Sequence, residues 1–398
     1  MDEFQLVEPK QSGQTNECPI QRSGHCMVSD DAHIYIFGGY NKVHSDGGNS
    51  PFGDLGPACT VVELWKYNYS TGKWKEIDAI GTPDTCASSC LQISEQQLYV
   101  YGGTGYPFGH MMSNTIKVCD LRKKNGESAQ RYSWNLVETN PNIYNCTDKG
   151  DQMPLRGYGQ SMIFHEDGIY IFAGAIGLHE EPVADLHKLN LYTMTWEELS
   201  PTGNKPGGRY KQEIAKDNER FYVFGGGRLS SAETLEKIYT YHFEKNHWDI
   251  IQAIADPVHG YPKPRCSFGL IQVGKDIYIC GGRHYTIYNE HESLSDVWKY
   301  SLESCQWKRL SVRLPEPLFF HAVTFAPSGH MYLFGGVKCN DQRSDRLYKW
   351  RVPYFLPSLS EICWDKLMQS YDSLHHADLT ALHSIGIPWT FSHRLANR

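Results

Sequence analysis

The chain has 398 residues, 40% of them hydrophobic and 13% aromatic, so it holds enough apolar material for a large packed core. Its 38 Lys and Arg against 45 Asp and Glu give a net charge of -7, which argues against a nucleic-acid or anionic-membrane surface. No apolar stretch in the sequence reaches the roughly 18 residues that a membrane-spanning helix needs. The first residues lack a basic-then-apolar leader, and the 12 cysteines are scattered without CxxC pairs. We therefore expect a reducing compartment, the cytoplasm or the nucleus.

One five-residue pattern recurs six times along the chain: Tyr, two apolar residues and two tiny residues. Ala173 replaces the first glycine of the third copy. The last three steps between copies are 52, 56 and 54 residues, and the first two are longer. A fixed period near 50 residues indicates a repeat architecture in which each copy forms one supersecondary unit. The six copies are residues 35–39, 99–103, 170–174, 222–226, 278–282 and 332–336.

Each copy is followed by further strand signals, such as residues 63–67 and 296–300, and then by a turn and a strand that contains Trp. Four short strands rich in Tyr, Ile, Val and Trp, separated by turn residues, predict one antiparallel blade. The tiny pair suits the crowded centre of a ring of blades, and the Trp suits the space between neighbouring sheets. The tryptophans are Trp74, Trp134, Trp196, Trp248 and Trp307.

These repeats resemble the kelch family, and the resemblance covers residues 22 to 350. It implies an all-β, six-bladed propeller, to which we assign residues 1–355. The sixth repeat lacks a Trp-bearing strand after residues 347–350, so we expect residues 4–7 to supply the missing strand and close the ring. Two inserts, at about 41–60 and 122–153, are predicted to be flexible loops or plain solvated connections.

After residue 355 the β-pattern stops and a helical tail, residues 356–398, is predicted. Ser358 and Glu361 have the spacing of a capping box, and Leu359, Cys363 and Leu367 recur every four residues on one helical face. Further helix starts are expected near Asp378 and at Pro388. The simplest interpretation is that these helices pack on the propeller or on one another.

The tail also resembles a pair of motifs found in ubiquitin-ligase substrate receptors. Leu359, Cys363 and Leu367 are similar to a BC-box, which implies binding to Elongin C and, through it, Elongin B. The second motif is similar to a Cullin-2 box, which implies Cullin-2 with its RING partner. This resemblance predicts a substrate receptor of a Cullin-2 ligase. The Cullin-2 box residues are Ile387, Pro388, Phe391 and Leu395.

Related Cullin-2 kelch receptors bind the free C-terminal end of a substrate, often one that ends in glycine, so the resemblance implies a carboxylate-binding face. Such a site needs cationic and hydroxyl donors between aromatic walls. We expect two positions of each blade to converge there: the residues after the tiny pair and the start of the innermost strand. After the tiny pair stand Tyr40, Thr104, Arg228, Arg283 and His284. At the start of the innermost strand stand Ser23, Tyr158, Arg209, Tyr210, Lys211, Cys266, Ser267 and Phe320.

Repetition separates scaffold from site among these candidates. Arg22, Arg209 and Arg265 share one offset, 16 residues before the first glycine, which favours a structural role in bonding backbone carbonyls. Lys211, Arg228 and Ser267 break the repeat, which favours binding. We predict Lys211, Arg228, Ser267 and Arg283 near the carboxylate, with Tyr158, Tyr210 and Phe320 as apolar walls.

Two other function classes remain open at this point. Some kelch-like propellers are copper oxidases or metal-dependent lyases, and some kelch proteins bundle actin. The sequence shows no Ser-His-Asp elbow and no phosphate loop, and we expect no cofactor and no enzymatic activity. A histidine-rich group in the tail is more typical of a solvated surface than of a metal site; it comprises His375, His376, Asp378 and His383.

Overall fold

The computed structural model describes residues 3–8, 18–41, 59–122, 131–141, 153–228, 230–286, 290–371, 373–374 and 377–396. In these residues six sheets of four or five strands, whose main strands are antiparallel, follow one another along the chain. Their innermost strands are neighbours in a closed cycle, from blade 1 through blade 6 and back to blade 1. The molecule is therefore a six-bladed β-propeller, which confirms the fold predicted from the six sequence copies.

Each blade has four main strands, ordered from the axis outwards. Blade 1 comprises Cys26–Ser29, His33–Phe37, Leu64–Asn68 and Lys73–Glu76. Blade 2 comprises Cys90–Ser94, Gln97–Tyr101, Ile116–Asp120 and Tyr132–Leu136. Blade 3 comprises Ser161–His165, Gly168–Gly174, Val183–Asn190 and Thr195–Glu198. Blade 4 comprises Glu213–Lys216, Arg220–Phe224, Lys237–His242 and His247–Gln252. Blade 5 comprises Gly269–Val273, Asp276–Cys280, Asp296–Ser301 and Trp307–Arg313. Blade 6 comprises Ala322–Phe325, His330–Phe334, Leu347–Arg351 and Gln5–Leu6.

Short additional strands border these blades. Ala79–Ile80, Asn140–Pro141 and Thr202–Gly203 run parallel to the outer strands of blades 2, 3 and 4. Two small ribbons, Tyr40–Asn41 with Cys59–Thr60 and Arg283–Tyr285 with His291–Ser293, extend from blades 1 and 5. We call the end of the propeller that carries the glycine pairs the upper face, and the opposite end the lower face.

Residues 4–7 close the ring as predicted. Gln5 pairs with Lys349 and Leu6 with Tyr348, so the N-terminal strand becomes the outer strand of blade 6. Phe4 stacks on Trp350 with 5.7 Å between ring centroids, and both side chains are buried in the cluster between blades 5 and 6. Phe4 thus occupies a place that the Trp-bearing strands fill in other blades, where Trp307, for example, packs against Phe224 of blade 4 at 6.1 Å.

Steric crowding explains the tiny pairs near the axis. A Cβ atom on Gly225 would lie 2.5 Å from the carbonyl oxygen of Arg265 in the next blade, and one on Gly335 would lie 2.7 Å from that of Arg22. Both glycines also have positive φ angles, of 55° and 68°, which larger residues rarely adopt. The innermost loops of adjacent blades therefore approach each other backbone to backbone.

Arg22, Arg209 and Arg265 are structural, as their common offset suggests. In each, Nε donates to the carbonyl two residues earlier and Nη1 to the carbonyl of the first glycine of the same blade. A carboxylate pairs with each guanidinium; for Arg265 this is Asp296, which accepts at 2.8 and 3.0 Å. All three arginines are buried, so their charges are compensated inside the blade.

The prediction that the insert at 122–153 forms a loop is partly wrong. Its residues 132–136 form the outer strand of blade 2, because Trp134 packs against Phe37 of blade 1 with ring centroids 5.0 Å apart. Asn140–Pro141 forms a further short strand. In the insert at 41–60, Asn41 and Cys59 pair in the small ribbon of blade 1. Residues 42–58, 123–130 and 142–152 lie outside the described part of the chain.

The described residues after the last strand include three helices: α1 (Leu359–Ser370), α2 (Leu379–Ser384) and α3 (Trp389–Ala396). Ser358 caps α1 by accepting the N–H of Glu361, and Asp378 caps α2, as predicted. The second half of the predicted capping box is wrong, because the Glu361 carboxylate accepts from the Arg394 guanidinium instead. No helix in the described residues is long and apolar enough to cross a membrane. The tail has its own small core, formed by Trp364, Met368, Leu374, Leu382, Ile387 and Leu395.

The tail docks on the lower face of blade 1. The indole N–H of Trp364 donates to the hydroxyl of Ser70 at 2.9 Å, and the Asn68 amide donates to the carbonyl of Arg394 at 2.7 Å. The Arg394 guanidinium bonds both carboxylate oxygens of Glu361, at 2.6 and 2.8 Å, and lies 3.6 Å from Asp31. These contacts join α1, α3 and the propeller at one point.

Candidate functional site

A closed ring of six backbone hydrogen bonds surrounds the axis at the upper face. Each blade contributes one residue whose N–H donates to the carbonyl of the equivalent residue in the preceding blade. The last bond closes the circle, since Gly24 donates to Phe320 at 2.9 Å. The ring therefore holds six residues, four of them with side chains, at the mouth of the central channel. The six residues are Gly24, Ser88, Gly159, Lys211, Ser267 and Phe320.

All six ring residues adopt the left-handed conformation, with φ between 53° and 66°. That conformation costs an L-residue with a side chain roughly 1–2 kcal/mol, yet Ser88, Lys211, Ser267 and Phe320 are not glycine. Strain of this kind concentrates at functional sites, where it holds side chains in a required position. Three of the four residues are among those that the sequence assigns to the binding site.

Arg283 lies at the centre of an aromatic cluster beside the ring. Its guanidinium carbon is 4.9 Å from the centroid of Tyr285, 5.3 Å from Phe319 and 5.7 Å from Phe320. The Lys211 ammonium lies 5.7 Å from the same Phe320 ring. Two cations from blades 4 and 5 thus face aromatic side chains from blades 5 and 6, an arrangement that is favourable electrostatically.

Two buried polar atoms of this cluster lack a partner among the described residues: the Ser267 hydroxyl and Nε of Arg283. A buried donor without a partner costs roughly 1–3 kcal/mol, so it is uncommon unless a ligand or water completes it. A carboxylate has two acceptor oxygens and would suit a hydroxyl and a guanidinium N–H side by side.

Tyr210 and Tyr158 continue the cluster into blades 4 and 3. Nη2 of Arg283 donates to the Tyr210 hydroxyl at 3.3 Å, and the Tyr210 and Tyr158 rings meet edge to face at 6.3 Å. Burial raises the pKa of both tyrosines and that of the Cys266 thiol. These groups are therefore neutral near pH 7, and they leave the charge of the cluster positive.

Arg228 takes a different environment from the other predicted site residues. Its Nε donates to Glu233 at 3.3 Å, and Glu233 also lies 3.7 Å from Arg209. The contacts of Arg228 are thus with the strut of blade 4, whereas Lys211, Ser267, Arg283, Tyr158, Tyr210 and Phe320 are brought together around the channel mouth.

The two predicted positions per blade do meet at the upper face, because they pair with each other. Isolated bridges join Ser23 to Tyr40 and Cys266 to Arg283. Thr104 is buried, and its hydroxyl accepts the N–H of Gly109, so it supports its own loop. The remaining members also have local roles: Tyr40 lies under the guanidinium of Arg343 at 5.2 Å, and His284 contacts the carbonyl of Pro264 at 2.8 Å.

Sequence reasoning missed Ser88, Tyr285 and Phe319. Ser88 carries a readable signal, since it stands 14 residues before its glycine pair, as Lys211 and Ser267 do. Phe319 directly precedes a predicted site residue. Tyr285 follows Arg283 by two residues on a ribbon whose existence the sequence does not reveal.

Glu213 is the acidic group below the ring. It lines the channel together with Lys211, His25 and His321. Burial raises the pKa of the Glu213 carboxyl to about 7, although the Lys211 ammonium acts in the opposite direction. Burial also lowers the pKa of His321 to about 4, so this histidine is neutral near pH 7. Among the described residues that line the channel, the Lys211 ammonium thus stands beside a carboxyl whose ionisation is opposed by burial.

The tail presents a second candidate surface. Trp364 and Met368 form the packed side of α1, while Leu359 is 75% exposed and Ile362 and Cys363 are also exposed. The stripe of Leu359, Cys363 and Leu367 is therefore not the packed face; only Leu367 contacts the tail core. The side of α1 that faces the propeller is the one that carries Trp364, which contacts Ser70.

The residues of the Cullin-2 box also differ in burial. Ile387 and Leu395 are buried in the tail core, and Phe391 packs against Trp364 with ring centroids 5.3 Å apart. Pro388 is exposed at the start of α3. Of the histidine-rich group, His375 and His376 lie outside the described residues. His383 contacts the Ser392 hydroxyl at 2.9 Å.

Comparison with known proteins agrees with this architecture. A family model for the KLHDC2/KLHL20/DRC7 Kelch-repeats domain matches residues 121–336. Kelch domain-containing protein 10 of Rattus norvegicus is 35% identical over 95% of this chain and 86% of its own length. The Drosophila melanogaster homolog of that protein is 32% identical over 95% of this chain and 62% of its own length. Kelch domain-containing protein 2 of Bos taurus is 25% identical over 81% of this chain and 77% of its own length. The chain therefore belongs to the family of kelch-repeat proteins that includes kelch domain-containing protein 10.

Proposed function

We propose that this chain is the substrate-recognition subunit of a Cullin-2 ubiquitin ligase. In this proposal α1 binds Elongin C, and with it Elongin B, while the end of the tail faces Cullin-2 with its RING partner. The upper face binds the free C-terminus of a substrate, in some substrates one that ends in glycine. Kelch-repeat propellers of this family are typically binding proteins rather than enzymes, which agrees with an adaptor role in the cytoplasm or the nucleus.

The observation that carries the proposal is the two-sided character of α1. Its Trp364 side is anchored to blade 1, and its Leu359 and Cys363 side is left open. Amphipathic helices bind partner grooves through such apolar anchors at i and i+4. If α1 only covered the propeller, its most apolar exposed residues would be expected to face the core.

Separation of the two surfaces is a second supporting observation. The carboxylate-type cluster of Arg283, Ser267 and Lys211 lies at the upper face, and the tail is fastened to the lower face through Asn68 and Ser70. A bound substrate and a bound ligase core would thus lie at opposite ends of the propeller. Neither would obstruct the other.

Co-purification with Elongin B/C tests the tail. The double variant Leu359→Ala with Cys363→Phe removes a side chain whose burial in the complex would contribute about 2 kcal/mol and adds a clash, so capture should fall at least tenfold. Leu155→Ala, at an exposed leucine of the propeller, is the matched control and should leave capture unchanged. Pro388→Ala should retain Elongin and reduce Cullin-2. Equal Elongin capture by the double variant and the wild type would leave the tail as a structural element of a kelch scaffold or an actin-associated protein.

Peptide titration tests the upper face independently of the tail. A carboxylate held by charged donors gains roughly 1.5–3 kcal/mol per hydrogen bond, so Lys211→Ala should weaken binding ten- to a hundredfold. Amidation of the peptide C-terminus should have a similar effect. Equal affinities for free and amidated peptides would mean that an internal motif is recognised instead.

A further inference from the structure

We propose that the partner bound by α1 also contacts the linker before the helix, through the side chains of Tyr354 and Leu356. This inference rests on the proposed binding of Elongin C by Leu359 and Cys363. It extends that contact by a segment that precedes the helical motif and does not belong to it. The proposed contact surface, which we call the apolar strip, comprises Tyr354, Leu356, Leu359, Ile362 and Cys363.

The strip is unusual in how much apolar side chain it leaves in water. Tyr354 is 92% exposed, Leu356 85% and Leu359 75%. Isolated exposed apolar residues are normal on a protein surface, but several within ten consecutive residues mark an interaction site.

The linker is not a loose segment that happens to be exposed. Val352 before it and Pro357 at its end are buried. Between them the Phe355 ring packs at right angles on Phe325 of blade 6, with centroids 5.0 Å apart. Alternation of inward and outward side chains thus fixes Tyr354 and Leu356 outwards.

The backbone at Tyr354 adds an independent observation. Its φ angle is +64°, in the left-handed region that residues with a Cβ atom rarely adopt. The Tyr354 side chain gains almost no burial within the chain in return. A strained residue whose ring lies in solvent is better explained by a contact outside the chain than by the fold of the chain itself.

The helix that carries the rest of the strip, α1, is also held in place on the propeller. Arg394 bonds both oxygens of Glu361 in the first turn of the helix, and Trp364 bonds Ser70 of the propeller. Leu356 and Leu359 are three residues apart, so they lie within roughly 10 Å of each other. A surface that is already ordered loses little conformational entropy on binding, and a single partner of standard interface size would cover all of it.

The partner chemistry follows from the strip. Four of its five side chains are fully apolar or a thiol, and Tyr354 contributes a ring with one hydroxyl. The proposal therefore requires an apolar groove on Elongin C that contacts Leu359, continues past it and ends at a polar group within reach of a phenol.

The test uses the full chain, purified Elongin B/C and titration calorimetry. Tyr354→Ser with Leu356→Ser should weaken binding at least fivefold and leave the melting temperature unchanged, because neither side chain packs within the chain. Tyr192→Ser with Val258→Ser is the matched control, at propeller side chains 82% and 80% exposed, and should bind as the wild type does.

A second variant protects the test against misfolding. Tyr354→Gly relieves the left-handed strain, so it should raise the melting temperature slightly while it weakens Elongin binding. Opposite signs for stability and affinity support a partner contact. Wild-type affinity in both linker variants would overturn the inference but leave the proposed function intact. A wild-type chain that does not bind Elongin B/C at all would overturn both.

Discussion

Arg265 and Arg283 belong to the same blade and lie close in sequence, yet their surroundings differ in kind. Arg265 is fully buried, and its guanidinium bonds two backbone carbonyls and both oxygens of Asp296. The Arg283 guanidinium donates to the Tyr210 hydroxyl, has aromatic rings around it, and has an Nε without a partner in the described chain. Arg265, whose guanidinium nitrogens all have partners in the blade, stabilises the fold. Arg283, which has a donor without a partner, is available to a ligand. The comparison predicts which substitutions lower the unfolding free energy and which lower the affinity for a ligand.

The largest stability loss is expected at Arg265. The Arg265→Met variant leaves the Asp296 carboxylate buried without its cation, which typically costs about 3–5 kcal/mol. Chemical denaturation should show this decrease in unfolding free energy. Adding Asp296→Leu should restore part of the loss, because no buried charge then remains. A change below 1 kcal/mol in the single variant would contradict the structural role.

Phe4 should rank next, because it replaces a blade tryptophan. Phe4→Ala removes a buried ring that stacks on Trp350, and such truncations cost about 3 kcal/mol or more. Leu6→Ala, at an exposed residue of the same strand, is the control and should change stability by less than about 0.5 kcal/mol. Thermal unfolding of both variants, and of a chain that lacks residues 1–10, measures how much the closing strand contributes.

Glu213 should produce a pH-dependent change of smaller size. Its pKa of about 7 in the folded protein exceeds the ordinary value of 4.5, so the folded state loses stability as the pH rises from 4.5 to 7. Glu213→Gln removes this penalty and should stabilise the protein by up to roughly 3 kcal/mol at pH 8. The gain should shrink to about 1 kcal/mol at pH 5. Melting temperatures at the two pH values give the comparison, and a gain independent of pH would exclude titration of this carboxyl.

Arg283 should give the smallest stability change and the clearest effect on binding. Arg283→Met keeps most of the side-chain volume against Phe319 and Phe320, so the unfolding free energy should change by about 1 kcal/mol or less. Affinity for a peptide with a free C-terminus should nevertheless fall at least tenfold, since one charge-assisted bond is lost. If Arg283→Met and Arg265→Met destabilise the protein equally, the distinction between strut and site fails.

The number of blades and the closing strand could be predicted because both follow from local repetition. Glycine pairs and tryptophans recur in successive copies, three arginines share one offset from the pair, and each recurrence has one physical reason. The ribbon that carries Tyr285 has a counterpart after the glycine pair of blade 1 but does not recur at a regular spacing, so it escaped prediction. Its paired residues are only 6 to 10 positions apart, but a pairing found in few blades leaves no period in the sequence.

The sites were less predictable, because a side chain's role depends on its neighbours in space. Arg228 and Arg283 both follow a glycine pair, but Glu233 lies five residues after Arg228 and binds it. In α1, helical periodicity allows either the Leu359 side or the Trp364 side to face inwards. Contact with Ser70, nearly 300 residues earlier in the chain, decides between them.

The strand pairing of Gln5 with Lys349 has a consequence for synthesis of the chain. At 5–20 residues per second, a ribosome needs roughly 20–70 s to make the approximately 340 residues between these partners. During that time blade 6 does not exist, and the first strand has nothing to pair with. Because this strand has only two residues, it offers other nascent chains a short template. Its pairing with a wrong strand before blade 6 is made is therefore limited.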